Sequence, residues 1–220
     1  MDIHEQLRDI KTQLRLSMNG VVSQSMREKG LVYKLNFGVD LPRIKEIAAG
    51  YEKSHALAQA LWKEEIRECK ILAGLLQPVD SFIPEIADIW VENIRNIEIA
   101  ELTCMNLFQH LPYAPSKSFQ WIADEREYIQ ACGFLTISRL LLKKGEMDER
   151  ASEEFLDQAI SAFLSGPFHV RTAATTAIRR FVQYNEANAF KVCRKVDNLK
   201  DSALETEKLL FNMVKEGVES

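Results

Sequence analysis

Apolar residues recur at spacings of three and four along almost the whole 220-residue chain, and no stretch alternates cleanly enough to make a strand. That pattern predicts an all-α protein. Between 153 and 165, Phe155, Leu156, Ala159, Ile160, Phe163 and Leu164 form one stripe, while Glu153, Glu154 and Asp157 face water. Asp40 is placed to cap a helix with Pro42 in its first turn, and Asp148 and Asp201 stand in the same way before later helices. Breaks at 36–40, 77–80, 112–118, 145–148, 166–167 and 197–201 leave about ten helices of modest length between them.

Helices this short cannot bury an apolar face alone, so they must pack on one another. A stack of antiparallel pairs and a compact irregular bundle give the same periodicity, and no repeat of fixed period separates the two. The chain is long enough for one domain over residues 1–220 with a large core. With 46% hydrophobic and 27% charged residues, it has the composition of an ordinary folded protein. Charges interrupt every apolar run before the roughly 18–20 residues that a bilayer span needs, so no membrane partner is expected. The N-terminal MDIHEQLRDIKTQLRL has no apolar stretch of the secretory kind, which predicts a cytoplasmic protein.

Few residues suggest a reactive centre. Cys69, Cys104, Cys132 and Cys193 are scattered singly through helical patterns and read as buried free thiols. His4, His55, His110 and His169 lie far apart without metal-ligand spacing, and no phosphate loop or nucleophile motif occurs, so no metal or cofactor is expected. Glu64, Glu65 and Glu68, interspersed with Lys63, Arg67 and Lys70, read as a solvated, salt-bridged helix face. Trp62 and Trp90 fall in apolar stripes and read as core.

The net charge of −4, from 28 basic and 32 acidic residues, argues at first against nucleic acid. Its distribution does not. Residues 166–200 carry Arg171, Arg179, Arg180, Lys191, Arg194, Lys195 and Lys200 against only Glu186 and Asp197, a local +5. The flanking segments are acidic. Such a strip suits a phosphate backbone, with binding that falls steeply with salt; solvated helix faces with basic groups near helix C-termini are the plainer alternative.

Two segments are more specific. LVYKLNFGVDLPRIKEIA at 31–48 places a Tyr and an aromatic-Gly-Val turn before a capped helix, and ALWKEEIRECKILAGLL at 60–76 follows a Leu-Trp pair with Arg67-Glu68. Together they resemble the opening of the AlkD-like DNA alkylation repair enzyme family, bacterial alkylpurine DNA glycosylases built from HEAT-like repeats. The resemblance extends over most of the chain. It implies antiparallel helix pairs stacked in a curved solenoid, with duplex DNA, alkylated or not, as partner and a further protein partner conceivable.

The chain departs from the family where the family's chemistry resides. In ENIRNIEIAELTC, Asn96 precedes Ile97 in the position of a cleft Trp, and Glu101 takes the position of the catalytic Asp. Further on, Trp121 is followed by Tyr128 and Ala131 where the family has a second Trp and an Arg; in FHVRTAATTAIRRF, Thr176 stands where a further cleft Trp would sit. Excision of a cationic N3- or N7-alkylpurine passes through a sugar with oxocarbenium character, which a carboxylate stabilises while aromatic faces hold the cation. Glu101 carries the right charge, but its extra methylene displaces that charge, and a misplacement near 1 Å costs on the order of 100-fold. The resemblance therefore implies a DNA-binding relative with weak or lost base excision. A glycosylase with a site remodelled around Glu101, or a protein–protein scaffold, are the alternatives.

Overall fold

In the computed structural model, which describes residues 2–219, polar side chains open helices at several of the places where the sequence puts them. Asp40 Oδ1 accepts the Arg43 N–H at 2.8 Å and Asp148 Oδ1 that of Ala151 at 2.7 Å. Pro42, Pro84 and Pro115 sit in first turns, where a missing N–H costs nothing. The described residues form thirteen α-helices and three short 3-10 turns, with one isolated parallel bridge, Leu35 to Ile66, in place of any strand. None of the helices is long and apolar enough to cross a membrane.

Thirteen exceeds the expected ten because several connections contain neither Gly nor Pro. Glu64 to Ile66, Asn93 to Asn96 and Ala123 to Arg126 each turn the chain within three or four ordinary residues. The expected break at 112–118 shrinks to two residues, since a helix begins at Ala114 and runs through Ser118. Asp201 is not a cap: the last helix starts at Glu205, and Ser202 Oγ accepts the Leu204 N–H just before it.

The chain separates into two compact units, one ending at Leu111 and one beginning at Pro112. The first contains α1 (Ile3–Leu16), α2 (Gly20–Glu28), α3 (Leu41–Ala49), α4 (His55–Lys63), α5 (Arg67–Leu76), α6 (Pro84–Glu92) and α7 (Ile97–Asn106). Its centre is aromatic: Trp62 and Trp90 stack with centroids 4.1 Å apart, and Phe82 meets Trp90 edge-on at 4.9 Å. Both tryptophans are core, as expected. Gly38, at φ +72°, lets the 31–40 segment press on the start of α2, where a Cβ would lie 2.2 Å from the Asn19 carbonyl oxygen.

The second unit contains α8 (Ala114–Ile122), α9 (Glu127–Leu142), α10 (Glu149–Ser165), α11 (Phe168–Val182), α12 (Glu186–Val196) and α13 (Glu205–Glu219). Here α9 packs on both α8 and α11, with Gly133 allowing close approach to Ile122. In α10, Phe155, Leu156, Ala159 and Phe163 are buried as expected, joined by Ser152 and Ala162, whereas Ile160 and Leu164 are half-exposed. Cys69, Cys104 and Cys132 are buried free thiols; Cys193 is a correction, lying half-buried on α12.

Candidate nucleic-acid interface

In the first unit the two diagnostic segments meet around one guanidinium. Leu35 N–H donates to the Glu65 carbonyl at 3.2 Å and Arg67 N–H to the Leu35 carbonyl at 3.0 Å, which lays the 31–40 segment along the entry to α5. Arg67, at the start of α5, then points inward. It donates to Glu98 through Nε at 2.8 Å and Nη2 at 2.6 Å, to the Val39 carbonyl at 2.9 Å and to Glu68 at 3.1 Å. Glu68 accepts the Phe37 and Val39 N–H groups, each at 3.2 Å, and Tyr33 Oη donates to Glu98 at 2.5 Å.

This geometry corrects the reading of the acidic cluster. Glu68 is fully buried and ties down two loop amides, so it is not part of a solvated face; Glu64 and Glu65 are the surface members, paired with Lys11 and Lys70. Glu98 completes the network, yet nothing in the sequence singled it out. Burial alone would push the Glu98 carboxyl up, but the Arg67 and Tyr33 hydrogen bonds hold it below the usual range. Burial, reinforced by the bond to Glu98, pushes the Tyr33 phenol well up.

Glu101 is exposed on α7, one turn beyond the half-buried Ile97 and three residues after Glu98. A carboxylate facing water loses the low-dielectric surroundings that make charge stabilisation effective in a closed site.

In the second unit the seven basic residues of the predicted strip do not act as one set. Arg171, Arg179 and Arg180 are exposed on α11, and among the described residues none has a carboxylate within ion-pair distance. Lys191 and Lys195 on α12 are instead drawn onto the acidic face of α10. Lys191 bonds Glu149, and Lys195 bonds Glu153 at 2.8 Å as well as Asp157. Arg194 stands 5.9 Å over the Phe190 ring, and Lys200 is exposed beyond α12. The +5 counted along the sequence is therefore partly cancelled by residues about 40 positions upstream.

The other cleft candidates differ in exposure. Thr176 is exposed on α11, with its hydroxyl turned back to the Thr172 carbonyl at 3.1 Å. Tyr128 is half-buried near the start of α9 and stacks on His169 at 5.7 Å; Ala131 and Trp121 are buried. Among the described residues no group of three His, Cys, Asp or Glu side chains could hold a metal ion.

No curated protein matches the chain significantly. Its fold is similar to a solved structure from a family of proteins related to the HEAT-like repeat DNA glycosylases with affinity for branched DNA structures, at a TM-score of 0.78. That likeness covers 99% of this chain and 95% of the other at 15% identity, and it identifies the fold as HEAT-like. The sequence model of a family described as DNA alkylation repair enzyme matches residues 10–198. The chain thus belongs to the DNA alkylation repair enzyme family.

Proposed function

We propose that this protein binds DNA through the exposed arginines of α11 and does not excise alkylated bases in the family's manner. The observation that carries the reading is the set Arg171, Arg179 and Arg180, three exposed guanidinium groups without carboxylate partners in a chain of net charge −4. Arginines left unpaired in an acidic protein are available to phosphate, which they bind bidentately. Arg171 and Arg179 are eight residues apart, about 12 Å along the helix, a span that reaches several phosphates of one strand.

Three features weigh against excision. Ile97 and Thr176 offer no aromatic face to a cationic purine, and Glu101 is exposed. Glu98, the carboxylate nearest to it on α7, is occupied by Arg67 and Tyr33. Branched DNA, for which the structural relative's family has affinity, is accordingly the more suitable substrate class than an alkylated base.

The test replaces Arg179 and Arg180 together with Ala and measures DNA affinity across a salt series. Affinity should fall on every sequence, and the slope of log K against log salt should become shallower by about 2, close to one for each lost phosphate contact. An unchanged slope would overturn the assignment of these arginines.

A further inference from the structure

Beside Arg171 and Arg179, α10, α11 and α13 enclose an open groove of about 280 Å³. Phe163, Leu209 and Met213 form its apolar part, Phe168 stands at one side, and Arg171 and Arg179 flank it. Among the described residues no carboxylate lines it. Phe168 is 75% exposed and Leu209 60%, so the groove presents an aromatic ring and an aliphatic surface to water alongside two cations. The Phe168 ring is not adrift: it meets His169 edge-on at 5.4 Å, and His169 in turn stacks on Tyr128.

We propose that this groove is a binding site for an unpaired nucleobase of a DNA strand, with the base stacked on Phe168 and the adjoining phosphates held by Arg171 and Arg179. The inference rests on the DNA-binding reading above and adds to it a preference for DNA that offers a base outside the duplex. Charge decides the occupant. An apolar helix or a second copy of this face would bring its own surface against two arginines with nothing to neutralise them, a desolvation cost that a nucleotide avoids because it carries its anion beside its ring. Every base has a flat face and every linkage a phosphate, so an aromatic ring beside two arginines takes a strand without regard to sequence. A base stacked in a duplex cannot reach the ring, whereas one in a single strand, a fork or a junction can.

The experiment measures affinity for a labelled single strand, a fork and a fully paired duplex of the same sequence, using wild type, Phe168→Ala, Phe168→Trp and the Arg171→Ala/Arg179→Ala double variant. Phe168→Ala should weaken single-strand and fork binding by about 5- to 150-fold, the range of one lost base stack, and leave duplex binding unchanged. Phe168→Trp should hold or tighten it, and the double variant should lower all three. Because Phe168 is exposed, its replacement leaves the core intact, which circular dichroism verifies.

Equal loss on duplex and single strand, or no loss from Phe168→Ala while the arginine variant still weakens binding, overturns the base site and leaves the DNA-binding reading standing. Wild type that binds none of the three DNAs at low salt overturns both. Self-association of wild type that Phe168→Ala abolishes in sedimentation equilibrium makes the groove a contact between copies and also overturns the base site.

Discussion

Replacing Arg67 with Met removes the guanidinium that joins the two diagnostic segments and keeps most of its volume. The Arg67 side chain is 2% exposed, Glu68 0% and Glu98 19%, so two carboxylates lose their shared cation inside the protein. Breaking a buried pair by deleting one partner costs about 3–5 kcal/mol. For a chain of this length each kcal/mol moves Tm by about 2–4 °C, which puts the expected fall at about 6–20 °C. The pH dependence gives the cause away. In wild type the Glu98 carboxyl titrates below its ordinary 4.5, so its contribution is complete above 4.5 and is lost as pH falls through the folded-state value. In the variant only burial and the Tyr33 hydroxyl act on Glu98. Burial, the larger influence, then raises its pKa, so acid relieves the penalty. Urea unfolding at a series of pH values should therefore show the largest gap between the two proteins at neutral pH, a gap that starts to narrow above pH 4.5 as the variant's raised carboxyl takes up its proton and goes on narrowing below it as wild type loses its contribution. A gap under about 1 kcal/mol at pH 7, the value of a surface pair, or one that stays constant into acid would refute the account.

At the alkaline end the same network makes a separate forecast for wild type. The Tyr33 phenol titrates above its ordinary 10.0 in the folded state, so its contribution to stability should hold to pH 10 and be lost beyond it, and Tyr33→Phe should make the fall of stability above pH 10 shallower. Gly38→Ala places a Cβ against the Asn19 carbonyl at φ +72°, and thermal melts should show a loss of about 1–3 kcal/mol. Lys195→Ala should change DNA affinity far less than Arg180→Ala in the same binding assay, because Lys195 is already bonded to Glu153 and Asp157.

What the sequence disclosed followed from how local each signal was. The periodicity of α10 and the caps at Asp40 and Asp148 depend on residues within a turn or two, and they were readable. The turns at Glu64 to Ile66 and Ala123 to Arg126 use no Gly or Pro, so extra helices went unseen. Asp201 had the residue type of a cap without its position, since the chain makes another turn first. For the candidate interface the deciding contacts span the fold. Lys191 finds Glu149 42 residues away, Tyr33 finds Glu98 65 away, and charge counted along a strip contains neither fact. Glu68 misled because its setting among Lys63, Arg67 and Lys70 resembles a solvated face, whereas the incoming 31–40 segment covers it and supplies two N–H donors. The family resemblance was readable in LVYKLNFGV and LWKEEIRE, and those segments prove to be the ones that the Arg67 network joins.

The central claim, DNA binding without base excision, is tested most directly by a salt-titrated binding assay on duplex and branched DNA, each with and without an alkylated purine, with released base measured in the same tubes. Binding that weakens with salt, is indifferent to the lesion and releases no base is the predicted result. Base release that Glu101→Gln abolishes while binding survives, or the absence of binding even at low salt, would contradict it.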